Sequence, residues 1–312
     1  MGKPLILLQV ESWNGSLWTI HGPGAGTQGI VLDEDPEGLW ETPSDTIWTE
    51  GAFQEGGTYG GVKHNMQDVV FNVHISSIPE AGVEWQTVFS QWKQAWDFEK
   101  QSYLVATTPS GIRRLALQKV STPVFRPKHD PGINSYGLMT MTLRAAWPFW
   151  VEDDVVDVFQ SKPANRVNLS TPITFPDGTS LSAVYRGTVI TSNPTDRPMH
   201  PVWIIDGAGK AQIPDFSWID DPEHEDYAWR DRAIWLPTLG AGENLTIRSY
   251  PDHETYESNI NPMFYGRSGG VEFEFAVPQH TIPIAIPIQC SAPGMTVQLR
   301  QKRHWTSLMG GE

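Results

Sequence analysis

Proline and glycine interrupt this 312-residue chain so often that a long helix has little room, with 25 prolines and 28 glycines spread among short apolar runs. Proline fixes φ and donates no ladder hydrogen bond, while glycine supplies the turns that other residues resist. Short strands joined by turns are what such punctuation permits, so the chain reads as mainly β. The stretch Asn193-Pro-Thr-Asp-Arg-Pro-Met-His-Pro-Val-Trp-Ile-Ile-Asp-Gly-Ala-Gly-Lys210 concentrates the pattern. Its prolines hold the backbone extended and keep it out of a central ladder until Val202. Val202 to Ile205 is then bulky and β-branched, and glycines close it. No nucleophile, base or metal ligand stands at a fixed offset here, so the stretch reads as architecture.

The same reading places strands at Leu5–Val10, Leu17–Ile20, Gln28–Leu32, Asp68–Ile75, Tyr103–Ala106, Ile112–Val120 and Leu138–Ala146. Residues 33–61 are acidic and broken by Pro36 and Pro43, so they read as loop with short pieces of sheet. One helix is expected, Glu84–Gln101, because Trp85, Phe89, Trp92 and Trp96 recur on one face of a 3.6-residue period. Such a stripe packs on a sheet. Trp147-Pro-Phe-Trp150 followed by Glu152-Asp-Asp154 breaks the composition, and the acidic run reads as foreign to a core. We therefore divide the chain into 1–155 and 156–312. Beyond the break, strands are expected at Ala183–Thr191, Val202–Ile205, Ala233–Leu236, Leu245–Ser249, Val271–Val277, Ile282–Ile288 and Met295–Leu299, a β-sandwich pattern.

Charge and cysteine usage narrow the function classes. The net charge is −14, from 36 acidic and 22 basic side chains. Such a surface repels phosphate backbones, and Arg113-Arg114 and Arg300-Gln-Lys-Arg303 are too small to form a nucleic-acid footprint. The one cysteine, Cys290, excludes an internal disulfide framework, suits a reducing cytosol and reads as a buried small hydrophobe. The N-terminal apolar run is too short for a signal peptide or membrane helix, so no membrane insertion is expected.

The motifs that carry chemistry fail in context. Gly24-Ala-Gly26-Thr-Gln-Gly29 matches a dinucleotide fingerprint, but Ile30-Val-Leu-Asp-Glu-Asp-Pro36 cannot open the helix whose N-terminus would face a pyrophosphate. Asp33-Glu-Asp35-Pro-Glu37-Gly38 begins like a calcium loop, yet its twelfth position is Ser44. His224-Glu225 and His253-Glu254 each open a zinc-protease pattern, with Ala228 and Glu257 where the second histidine belongs. The acidic group Asp215, Asp220, Asp221, Glu223, Glu225 and Asp226 reads as a solvated loop. No catalytic residue, cofactor or metal site is assigned, and the chain reads as no enzyme.

Several stretches together resemble the distal tail proteins of long-tailed phages, known as minor tail proteins in phages of actinobacteria. They are Trp18-Thr-Ile-His-Gly22, Gly26-Thr-Gln-Gly-Ile-Val-Leu32, Tyr59-Gly-Gly61, the tryptophan helix and Trp147-Pro-Phe-Trp150 in the first half. In the second half they are Asn193–Lys210, Gly242-Glu-Asn-Leu-Thr-Ile247 and Pro278-Gln-His280. Arg248 stands where the family has Asp, and His304-Trp305 where it has Pro-Trp.

The resemblance implies an N-terminal β-sandwich domain with one α-helix that closes into a ring, usually of six copies. It implies a C-terminal galectin-like β-sandwich that projects outward. The protein would be a structural component of the virion tail tip, made in the bacterial cytoplasm, a hub joining the tail tube to the tip. Its partners would be itself, the tail tube protein, a tail-tip protein and the tape measure protein. An unpaired strand edge is a ready site for a neighbour, and Leu5, Ile6, Leu7 and Leu8 are the ring-edge candidates. A negative lumen would let DNA pass without sticking. The alternative is a carbohydrate-binding adhesin contacting a host-surface glycan, with Trp218, Trp229 and Trp235 as its platform. Hydrolysis by Asp or Glu is a third reading.

Overall fold

Alternation of buried and exposed residues starts at β1 (Leu7–Glu11), where Leu8 and Val10 turn inward. The computed structural model describes residues 6–127, 129–250 and 253–311. It divides into two compact units, one holding the chain up to Glu152 together with His304–Gly311, the other Asp153–Arg303.

In the first unit β1 pairs antiparallel with β2 (Leu17–His21). β3 (Ile30–Leu32) follows the glycine-rich turn. Gly29 has φ +77°, and a Cβ there would lie 2.4 Å from the Ser76 carbonyl oxygen, so the turn needs glycine for close approach. A strand follows this turn where a dinucleotide site would need a helix. β4 (Ser44–Thr49) and β5 (Thr58–His64) form a separate hairpin. β6 (Gln67–Ser76) then runs beside β3, and after α1 (Trp85–Gln94) come β7 (Ser102–Thr108), β8 (Gly111–Lys119) and β9 (Val124–Phe125). The short α2 (Pro131–Asn134) leads into β10 (Tyr136–Ala145). One layer is β2-β1-β7-β8 and the other β3-β6-β10, with β9 also against β10. Leu104, Leu115 and Leu117 of the first layer share a core with Val69, Phe71, Val73, Met139 and Met141 of the second.

Helix α1 covers that core with Val88 and Trp92, and Trp92 meets Trp18 edge-on at 5.6 Å. It is shorter than the Glu84–Gln101 stripe predicts. The chain from the β1–β2 turn takes up its terminal carbonyls: Ser12 Oγ donates to Ala95 O at 2.6 Å, and Trp13 Nε1 to Gln94 O at 3.1 Å. Ser102 Oγ also donates to Ala95 O, at 3.0 Å. Side-chain caps of this kind satisfy the orphan carbonyls and end the helix. Trp96 still turns into the core from beyond it.

The chain leaves the first unit within β11 (Trp150–Gln160). The acidic run that looked foreign to a core is part of this strand, because its charges are paired: Glu152 with Arg113 at 3.3 Å and Asp154 with Arg300 at 2.9 Å. In the second unit follow β12 (Arg166–Thr174), β13 (Ser180–Asn193), β14 (Val202–Asp206), β15 (Ala211–Pro214), β16 (Ala233–Trp235), β17 (Asn244–Arg248) and β18 (Tyr256–Ser258). The short α3 (Phe264–Arg267), β19 (Thr281–Cys290) and β20 (Thr296–Trp305) complete it. The sheet β12-β13-β19-β15-β16 faces a second antiparallel group, β18-β17-β14-β20. Ile213, Ile286 and Ile288 from the first share a core with Trp203, Ile205, Ile247, Val297 and Leu299 from the second.

Val271–Val277 is not a strand, contrary to expectation. Its Phe273 and Val277 are buried, but Glu274 and Phe275 give their backbone N–H groups to the carboxylate of Asp215, both at 3.1 Å, instead of to a ladder. His304–Gly311 returns to the first unit, because Trp305 and Leu308 complete its core.

The proline stretch is organised by one buried amide. Asn193 Nδ2 donates to the carbonyls of Arg197 (2.7 Å), Val277 (3.1 Å) and Pro278 (2.9 Å), while Oδ1 accepts from Thr195 Oγ1 at 2.7 Å. Val202–Asp206 then enters the sheet between β17 and β20. Removing a buried amide that serves three carbonyls costs about 2–4 kcal/mol. Asn193→Ala is therefore expected to lower the urea midpoint by that equivalent in equilibrium unfolding followed by tryptophan fluorescence. Cys290 is fully buried, and burial pushes its thiol up to about 12. The thiol is thus both shielded and held protonated near neutral pH, so iodoacetamide is expected to modify the native protein negligibly and the urea-unfolded chain rapidly.

Candidate assembly surface

One element of the first unit has no cover among the described residues. β4 and β5 pair only with each other, and every residue in them is exposed apart from half-buried Gly61. The hairpin nevertheless carries Ile47, Trp48, Tyr59 and Val62, with Phe53 in its turn; Trp48 is 57% and Phe53 103% exposed. Trp48 and Tyr59 meet edge-on at 5.4 Å, and Trp48 Nε1 donates to Thr46 Oγ1 at 3.0 Å. An isolated two-stranded hairpin is marginal in water, and exposed aromatics of this size mark an interaction surface. Sequence reasoning named no site in residues 33–61. The available signal was Ile47-Trp48 and Tyr59 with Val62 on either side of a turn rich in glycine, where Trp48 faces Tyr59.

The arm is gripped at its root. Thr42 N donates to Thr306 O at 2.7 Å, and Thr42 Oγ1 reaches Pro148 O at 2.5 Å and Thr306 O at 3.0 Å. Glu41 bridges Ser307, and Leu308 N donates to Trp40 O at 3.4 Å. On the returning strand Asn65 N donates to Pro43 O at 2.9 Å, and the His64 ring lies edge-on to Phe149 at 5.1 Å. Phe149 in turn meets Trp147, whose ring lies 5.5 Å from His304.

Behind this root lies Arg113, fully buried, with its guanidinium 3.8 Å over the Trp305 ring. Its Nη1 donates to Ser307 O (2.9 Å) and Gly310 O (3.0 Å), and its Nε to Glu152 Oε1 (3.3 Å). A buried cation is tolerated only when it is paired and hydrogen-bonded, so Arg113 ties the C-terminal segment to β8.

The ring-edge candidates fall elsewhere than expected. β1 is flanked on both sides: Leu7 and Leu8 face Thr107 and Ala106 of β7, and Leu8 faces His21 of β2. β1 from Leu8 onward thus lies inside the layer, and β2 is its outer strand. Ile6 packs partly buried against the core, and Leu5 lies outside the described residues.

Nor do the three tryptophans form one platform. Trp218 packs half-buried beside Phe216 against the second core. Trp235 lies opposite Gln212, on the other face of its sheet from buried Ile213, and meets Phe175 edge-on at 5.4 Å. Trp229 alone is largely exposed, under the guanidinium of Arg232. The acidic group is likewise split. Asp215 turns inward, 3.0 Å from Arg232, and burial raises its carboxyl above the usual range, opposed by the two backbone donors and Arg232. Among the described residues no group of three or more His, Cys, Asp or Glu is arranged to hold a metal, and no helix is long and apolar enough to cross a membrane.

Two mainly β units built from antiparallel sheets define a structural class of protein. The fold is that of the SPP1 Dit protein, to which the chain is similar with a TM-score of 0.53 at 9% identity, covering 96% of this chain and 99% of that one. In sequence it is 30% identical over 338 aligned positions to minor tail protein Gp27 of Mycobacterium phage D29, covering 98% of each chain. The corresponding protein of Mycobacterium phage L5 is 30% identical over 342 positions with 98% coverage of both. The chain belongs to this family of mycobacteriophage minor tail proteins. No family model matches it.

Removing Arg113 leaves Glu152 and two carbonyls without their cation, a loss of about 3–5 kcal/mol for a broken buried pair. Arg113→Met is expected to lower stability by that amount in equilibrium unfolding of the full-length protein.

Proposed function

We propose that the chain is a tail hub: a structural virion component whose first unit closes into a ring, of six copies by the family resemblance, between the tail tube and the tail tip. The observation that carries this reading is the β4–β5 arm, a hairpin whose aromatic side chains no described residue covers. A ring needs a heterologous contact, in which one surface of a copy meets a different surface of the next, and a projecting arm is such a surface. The relatives are minor tail proteins, and the SPP1 protein is described as a paradigm of a hub adsorption apparatus in phages infecting Gram-positive bacteria. The second unit, a sandwich of two antiparallel groups around one core, supports the galectin-like reading. Its neighbours in the tail would be the tube protein, a tip protein and the tape measure protein. The net charge of −14 suits a channel that DNA traverses without binding.

Light scattering on the purified protein over a range of concentrations tests this. A mass several times that of the chain is expected. Trp48→Ser with Phe53→Ser is expected to weaken self-association by at least tenfold, because buried aromatics anchor interfaces. Unfolding stability of the monomer should change by no more than about 0.5 kcal/mol, since both side chains are exposed. A double variant that assembles like the native protein would refute the arm's role.

A further inference from the structure

Two aromatic motifs that flank the second unit in sequence, Trp147-Pro-Phe-Trp150 and His304-Trp305, meet at the root of the arm. Phe149 packs on His64, Trp147 on His304, and the segment after Trp305 runs antiparallel to Trp40–Thr42. The buried guanidinium of Arg113 fastens that segment from behind through Trp305, Ser307 and Gly310. The indole Nε1 of Trp305 has no hydrogen-bond partner among the described residues, so its burial is sustained by packing and by the cation on its ring face.

We infer that His304–Gly311 is a positioning latch: seated against Trp40–Thr42, it fixes the direction of the β4–β5 arm and makes the first unit competent to self-associate. The inference rests on the hub reading for its consequence, though not for its geometry. A hairpin pivots on the two strands that enter it. Here one entering strand, Trp40–Thr42, is hydrogen-bonded to the latch, and the other, at His64–Asn65, is held by Phe149 and Pro43. Without the latch, Thr42 loses its backbone and one of its side-chain acceptors. The arm then samples many directions and pays an ordering entropy on each docking event.

The order of synthesis adds a consequence. The chain is made from its N-terminus, and the latch lies beyond Arg303, so the root of the arm is completed only after the whole second unit has been made. Self-association is thereby withheld from unfinished chains.

The test uses full-length protein and two readouts, backbone amide exchange resolved by segment and the concentration dependence of mass. Thr42→Val keeps the shape and removes the hydroxyl bonds to Thr306 and Pro148, while Thr42→Ser retains them. Thr42→Val is expected to speed exchange across residues 44–64 several-fold while β6 and β10 stay protected, and to weaken self-association about tenfold; Thr42→Ser should restore both. Trp305→Ala, which unseats the latch, should give the larger effect in the same residues. Unchanged arm exchange in Thr42→Val, or exchange that rises equally in β6 and β10, would overturn the latch. If Trp305→Ala fails to fold, the Thr42 pair decides. A native protein that stays monomeric at every concentration would remove the hub reading and the latch's role in association, while the exchange data still decide whether the latch positions the arm.

Discussion

The contact of Arg113 with Trp305 is the interaction on which the first unit depends most. A guanidinium with no solvent exposure must find its full solvation inside the protein, and here an aromatic face, two C-terminal carbonyls and Glu152 contribute it. Those partners come from the middle of the sequence and from its C-terminal segment. The contact therefore closes a loop of nearly two hundred residues, and the core of the first unit includes Trp305 and Leu308 because of it.

From that closure follow the shape and exposure of the arm. The returning segment occupies Trp40–Thr42, so the next residues are led outward as β4 and β5 and have no sheet to join. A hydrophobic hairpin left in water is unfavourable for a free monomer. It is retained where a second surface covers it, which is the condition of a protein that works as part of an assembly. The second unit is organised differently. Its proline stretch is locked by Asn193, and its glycines carry the chain close past Met295, where a Cβ at Gly207 would lie 2.9 Å from the Met295 Cα.

Much of the fold was legible in sequence because its causes are local. The stripe from Trp85 to Trp96 specified the helix, and period-two alternation specified β6, β8 and β10. The helix length was not legible, since Ser12, Trp13 and Ser102 end it from a different part of the chain. The Glu152–Asp154 run misled for a related reason. Its charges look incompatible with a packed strand until Arg113 and Arg300 are placed opposite them. Leu7 and Leu8 were candidates for an unpaired edge, whereas Leu8 pairs with both β2 and β7 and Leu7 with β7. Trp218, Trp229 and Trp235 are near in sequence and lie in different surroundings, because Trp218 stands in a loop against the second core, Trp229 ends the short helical turn Glu225–Trp229, and only Trp235 sits on a strand.

By itself the sequence determined that this chain is β-built, acidic, poor in any chemistry-bearing pattern and similar throughout to phage tail proteins, since composition, turn residues and periodicity act over a few residues at a time. Only the tertiary structure decided that the last eight described residues belong to the first unit, and that the aromatic hairpin after Thr42 stands clear of it. Both outcomes depend on which distant group satisfies a buried charge, and a cation's need for partners does not say where along the chain they will be found.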